Sequence, residues 1–159
     1  MSQPIKVEKT LTINKPAAEL YRFWHNFENL PHFMKHLKSV TVKDSKRSHW
    51  VASAPLDKTI EWDADIIEER ENELIAWKST PGADVDNSGF IQFQPAPDNR
   101  GTEVKVVTEY NPPMDELGSV IAKLFGKAPE QQIGDDLRRF KMLMEAGEMA
   151  TTEGQSRGN

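Results

Sequence analysis

Residues 130–147 read EQQIGDDLRRFKMLMEAG, and the spacing of their apolar positions decides the fold. Ile133, Leu137, Phe140 and Met144 recur at i, i+4, i+7 and i+11, one stripe along a helix. Such a helix is ~27 Å long at ~1.5 Å per residue, enough to cross a sheet of about seven strands. Just upstream, Gly126-Lys-Ala-Pro129 interrupts the pattern, because proline cannot continue an unbroken helical ladder. Leu117, Val120, Ile121, Leu124 and Phe125 form a shorter stripe before it. Asn111-Pro112-Pro113 divides these helical patterns from everything earlier.

What precedes that divide alternates with the period of strands. Val40 and Val42 come first, then Trp50, Ala52 and Ala54. Ile60, Trp62, Ala64 and Ile66 share a face opposite Glu61, Asp63 and Asp65, and Glu68 to Glu73 reads as a charged turn. Leu74–Ser79 follows, the loop from Thr80 to Ser88 leads to Gly89, Ile91 and Phe93, and Val104, Val106, Thr108 and Tyr110 end the series. Six strands at this spacing predict an antiparallel meander rather than parallel crossovers. At the start, Ile5, Val7, Leu11 and Ile13 alternate with polar residues, and Lys9 breaks their apolar face. Asn14-Lys15-Pro16 then starts a helix carrying Leu20, Phe23, Trp24 and Phe27; Asn29-Leu30-Pro31 breaks it, and residues 32–37 read as a second short helix. The order is β-α-α-β×6-α. This is an α+β pattern that a curved antiparallel sheet gripping one long C-terminal helix satisfies.

The 159 residues carry no cysteine, which excludes disulfides and thiolate chemistry. No run approaches the ~18 apolar residues of a membrane span. Met1 to Lys9 lacks the basic start and apolar block of an export signal, so a cytoplasmic location is expected. A net charge of −5 and a pI near 5.4 repel phosphate backbones, and nucleic acid is not an expected partner. The composition predicts a single domain over residues 1–149. Residues 150–159 (ATTEGQSRGN) lack any large apolar residue and read as a disordered tail.

The stretch PAAELYRFWHNFENLPHFMKHL (residues 16–37) resembles the opening of a START-like (SRPBCC) protein of the bacterial polyketide cyclase/dehydrase branch, related to coenzyme-Q-binding proteins. IEWDADI (60–66), SGFIQFQPAP (88–97) and GTEVKV (101–106) fit the same pattern, so the resemblance covers about residues 3–148. It implies a helix-grip fold, like START and Bet v 1 proteins, with an apolar cavity between sheet and long helix. Fold alone does not fix the occupant.

The aromatics that could line such a cavity are also those that could fill a core. Trp24, Phe27 and Phe33 come from the short helices, Trp62, Trp77, Ile91, Phe93 and Tyr110 from strands, and Leu137, Phe140 and Met144 from the long helix. Lys9, Lys78, Thr108 and Tyr110 are the inward-pattern polar residues, and none makes an evident acid–base pair, so no catalytic residue is assigned. His32 and His36 have the i, i+4 spacing of metal ligands, with His25 and Glu28 nearby. Pro31 breaks the helix between them and no His-Glu-x-x-His pattern is present, so they read as solvated histidines rather than a metal site. Asp84 to Gly89 imitates half a calcium loop, but its twelfth position is Pro95. No glycine-rich phosphate loop is present, and no nucleotide or other cofactor is expected. Lys123, Lys127, Arg138, Arg139 and Lys141 give the C-terminal helices a basic side, a solvated face or a surface for transient membrane contact.

The leading expectation is therefore binding or transport of a hydrophobic small molecule (a lipid, quinone or polyketide-like compound) between the sheet and the C-terminal helix. The alternatives are a polyketide cyclase, aromatase or dehydratase, and a protein-interaction or co-chaperone module.

Overall fold

The computed structural model describes residues 5–54, 57–111 and 129–146. Strand β1 (Ile5–Ile13) leads into helix α1 (Ala17–His25) and a 3-10 helix (Phe27–His32). Six strands follow: β2 (Leu37–Val42), β3 (Arg47–Ala54), β4 (Lys58–Arg70), β5 (Leu74–Ser79), β6 (Asp86–Pro95) and β7 (Thr102–Asn111). Helix α2 (Pro129–Ala146) closes the described part. All seven strands form one antiparallel sheet in the order β1-β7-β6-β5-β4-β3-β2, so the only non-sequential neighbours are β1 and β7. The stripe at Leu117–Phe125 and the tail lie outside the described residues. Among the described residues, no helix is long and apolar enough to cross a membrane.

Alternation sorts the sheet into two faces. Val7, Ile13, Ile60, Ala64, Ile75, Ile91, Val104 and Val106 are buried on the concave face, under α2. The other face carries charge: Arg47 holds Asp65 through two hydrogen bonds of 2.7 and 3.0 Å, and Lys43 reaches Asp63 at 3.3 Å. Exposed pairs of this kind add little to stability, because water and salt screen them. They keep the outer face polar; the fold is held from the inner one.

Helix α2 is fastened over the concave face from its middle to its C-terminal end. Arg139 Nε donates to the carbonyl of Phe33 at 2.9 Å, beside the 3-10 helix. Farther along, Lys141 Nζ donates to the Thr12 carbonyl at 2.6 Å, and the Glu145 carboxylate accepts from the Asn14 backbone N–H at 2.8 Å. Along the helix Ile133, Leu137, Phe140 and Leu143 are buried, while Met144 is partly buried and Met142 is exposed.

Three local expectations are corrected. The second short helix spans Phe27–His32, not residues 32–37, and Leu37 already begins β2. The Asn26 side chain accepts from the Glu28 N–H and starts this helix early, and a 3-10 turn tolerates Pro31 near its end. Strand β4 runs through Glu68 to Arg70, where a charged turn was expected. A register shift between Ile66 and Glu68 lets the strand continue, and it turns Ile67 out to 61% exposure. Val42 does not share the burial of Val40; it ends β2 at 40% exposure.

A candidate ligand site between the sheet and the C-terminal helix

Two features occupy the space under α2. The first is a packed aromatic cluster. Phe140 lies 4.9 Å from Phe33 and 5.2 Å from Trp24, ring centre to ring centre, and Trp24 lies 5.1 Å from Phe33. Phe27 meets Trp77 at 5.9 Å and Trp50 at 5.5 Å, edge to face. Such contacts add ~0.5–1.5 kcal/mol each beyond area burial. Local sequence explains the convergence: α1 presents Leu20 and Trp24 on one face, and the 3-10 helix turns Phe27 and Leu30 to the same side.

The second feature is a cavity of about 80 Å³ beyond the cluster. Its floor is Trp50 from β3, Ile60 and Trp62 from β4, and Trp77 from β5. Val7, Thr108 and Tyr110 enclose one side, with Val85, Asn87 and Ser88 at the β6 end, and Ile133 of α2 above. Met34 and His36, between the 3-10 helix and β2, complete the wall. The cavity shares Asn87, Ser88, Glu109 and Tyr110 with an outer groove of about 740 Å³. Alone it is smaller than the ~150 Å³ that holds a benzene ring, and a larger occupant has the shared Asn87–Tyr110 end into which to extend.

The expected lining residues divide between these features. Trp62, Trp77 and Tyr110 stand in the cavity wall. Trp24, Phe27, Phe33 and Phe140 form the cluster, and Ile91 and Leu137 are buried in the surrounding core. Phe93 is buried against Tyr21 of α1, at 6.1 Å, and Met144 packs at the core's edge. Of the polar candidates, Thr108 and Tyr110 reach the cavity, while Lys9 lies beneath α2 near Gly134. Lys78 is corrected: it is exposed and lines the outer groove, because Trp77 takes the inward position of β5.

The polar group that matters most here is His36, for which a solvated helical position was expected. His36 is not on a helix; its side chain is 12% exposed in the cavity wall, with Nδ1 4.0 Å from Asp136 Oδ2. Asp136 is itself 2% exposed, on the apolar side of α2, and accepts from Arg139 at 2.5 Å. Burial, with the Arg139 charge adding to it, pushes the His36 pKa down to about 4. Burial raises Asp136 to about 6, against the hydrogen bond and charge of Arg139 and the Lys35 backbone N–H. Near neutral pH the site thus holds a neutral imidazole beside a carboxylate clamped by a guanidinium. Among the described residues no three carboxylates or imidazoles converge as a metal site requires; His25 instead pairs with Glu69 at 2.6 Å.

The two shifts oppose each other on acidification. His36, depressed in the fold, contributes stability present above about pH 6.5 and lost as pH falls through about 4. Asp136, raised in the fold, contributes stability present below about pH 3.8 and lost as pH rises through about 6. Between about pH 6.5 and 4.5 each changes stability by about 2 kcal/mol, with opposite sign. Urea unfolding of the His36→Gln variant should therefore show a gain of about 2 kcal/mol over wild type on moving from pH 6.5 to 4.5. Parallel pH profiles would show that His36 is not buried as a neutral base.

Residues 13–138 match the family described as polyketide cyclase / dehydrase and lipid transport. The chain belongs to this family. A 17.2 kDa protein from the melC2–rnhH intergenic region of Streptomyces lincolnensis is 30% identical over 141 residues, 88% of this chain and 89% of that one. The crystal structure of a Deinococcus radiodurans protein superposes with a TM-score of 0.74 at 41% identity, covering 90% of this chain and 98% of that chain. The di-domain ARO/CYC protein StfQ of the steffimycin biosynthetic pathway matches at a TM-score of 0.65 and 12% identity, over 91% of this chain and 51% of its own. At that identity the likeness is one of fold, the helix grip shared across the family.

Proposed function

We propose that the protein binds a hydrophobic, ring-containing small molecule in the cavity between the sheet and α2. The observation that carries this reading is the cavity wall itself: Trp50, Trp62 and Trp77, three of the four tryptophans, line one recess between the sheet and α2. Ligand sites are mostly apolar with few polar groups, and this wall fits that pattern. Family membership supports the same reading, since lipid transport is part of the family's description. Among the lipid, quinone and polyketide-like ligands that such proteins could carry, flat molecules match the flat tryptophan wall best.

The test uses those indoles as reporters. Titration with a panel of quinones, aromatic polyketides and fatty acids should quench tryptophan emission saturably for at least one class. Native mass spectrometry of the freshly purified protein should show a co-purifying ligand. A ligand-free spectrum together with unchanged emission across the panel would overturn the reading.

Catalysis is the second reading, favoured by the buried His36–Asp136 pair at the cavity wall and by the cyclase/dehydrase half of the family description. Neutral His36 could accept a proton from a bound substrate, and the Asp136 carboxylate would stabilise the imidazolium. A pKa of about 4 makes that imidazole a weak base at neutral pH, about three units from the optimum for general-base work. Binding therefore leads. Loss of turnover in His36→Gln with ligand affinity kept would reverse the order.

A further inference from the structure

The sheet ends at β2 on one side and at β1 on the other. Free edges invite pairing with another strand, and proteins usually blunt them. At β2 the Glu28 carboxylate accepts from the Val42 N–H at 2.9 Å, and a register shift between Leu37 and Ser39 breaks the strand's regularity. At β1 the guard covers one end only. Lys141 donates to the Thr12 carbonyl, and the Glu145 carboxylate accepts from the Asn14 N–H. Along an antiparallel strand, alternate residues direct both backbone groups to the same edge. The Thr12 bond therefore sets the phase: Lys6, Glu8 and Thr10 also direct their N–H and C=O groups away from β7. All three residues are exposed, and no described residue caps those backbone groups. Their side chains lie on the outer face, because Val7 between them is buried on the concave one.

We infer that β1 pairs antiparallel with β1 of a second copy of this chain, about a two-fold axis at Val7, so that Lys6 of each copy faces Glu8 of the other. The two seven-stranded sheets then run on as one. Charge selects this register. An axis at Lys6 would oppose lysine to lysine, and an axis at Glu8 would oppose glutamate to glutamate. An axis at Lys9 would set Lys6 against Thr12, whose carbonyl Lys141 already occupies. Glu8 gives Oε2 to Lys105 of its own chain at 3.2 Å, which leaves Oε1 for the lysine of the other copy. Helix α2 does not stand in the way. It meets β1 at Lys9, beside Gly134, and again at Thr12, beside Lys141, so the described helices of the two copies run away from the axis. The inference is independent of what the cavity binds.

Sedimentation equilibrium of the full-length chain tests this. At low salt the mass should rise from 18.1 kDa toward twice that value between about 10 µM and about 1 mM, as for a small interface. Lys6→Glu and Glu8→Lys should each weaken dimerisation about tenfold or more, because each sets like charges opposite one another at two places. Mixed in equal amounts, the two variants should pair with each other about as tightly as wild type, since every facing pair is then again of opposite charge. In the wild type, the Lys6 and Glu8 amide protons should gain protection from solvent exchange as concentration rises. That measurement does not depend on any variant's folding. A mass of 18.1 kDa throughout, a dimer that neither substitution weakens, a mixture that stays monomeric, or amides that exchange equally fast at both ends of the range overturns the inference.

Discussion

Replacing Phe140 with alanine should destabilise the protein by about 3–5 kcal/mol, the usual range for removing a buried phenylalanine. Phe140 is fully buried and touches Phe23, Phe33 and Trp24 at once. Its removal empties the point where α2 meets α1 and the 3-10 helix, and rigid rings on three sides leave little room to collapse. A domain of this size should then melt on the order of 10 °C lower. Met142, on the same helix but 55% exposed, is the natural control, and Met142→Ala should stay within about 0.5 kcal/mol of wild type. A loss below about 1 kcal/mol at Phe140 would mean that α2 is not clamped to the sheet as described.

The second large effect lies at a corner of the backbone. Gly101, at the start of β7, has φ +99, and an added Cβ would fall 2.2 Å from the Ile13 carbonyl oxygen and 2.7 Å from Asn14 Cα. Neither neighbour is a movable side chain. Gly82 has a similar φ of +89 with nothing within 4 Å of its virtual Cβ. Gly82→Ala should therefore cost only the left-handed backbone penalty, about 1–2 kcal/mol. Gly101→Ala should add an overpacking cost of about 1–3 kcal/mol to that, roughly 2–5 in all. The corner also carries the bond from Thr102 Oγ1 to the Lys15 carbonyl at 2.7 Å, so the damage should spread to the β1–α1 connection. Equal chemical-denaturation midpoints for the two variants would refute the close contact.

The fold was legible because its signals are local and repeated. Alternation at Ile60, Trp62 and Ala64, or the Ile133–Leu137–Phe140 stripe, needs only the period of one element. Asp136 was not legible. It sits on that same stripe, one residue before Leu137, and a carboxylate there reads as part of a solvated face unless its distant partners are known. Arg139 is close in sequence, but His36 is one hundred residues away, and only tertiary packing brings the two together. Trp50 is a similar case. Its alternation was plain, yet its place in the cavity wall depends on strand register and on which space α2 leaves unfilled. Such spaces follow from small differences in side-chain volume across several elements, and no single stretch of sequence encodes them.

Trp24, Trp77, Trp50 and Trp62 form an unbroken series, with successive ring centres 6.4, 6.4 and 5.8 Å apart. At these separations excitation passes between indoles faster than any one of them emits. The four indoles therefore act as one energy-coupled series rather than as four independent emitters. The protein's circular dichroism should include exciton bands superimposed on those of the sheet. A quencher touching only the Trp62 end should darken the whole series, including Trp24 beneath the helix. The same continuity gives an electron hole created at the cavity wall a path inward, so photo-oxidation begun at Trp62 should leave its products as far away as Trp24.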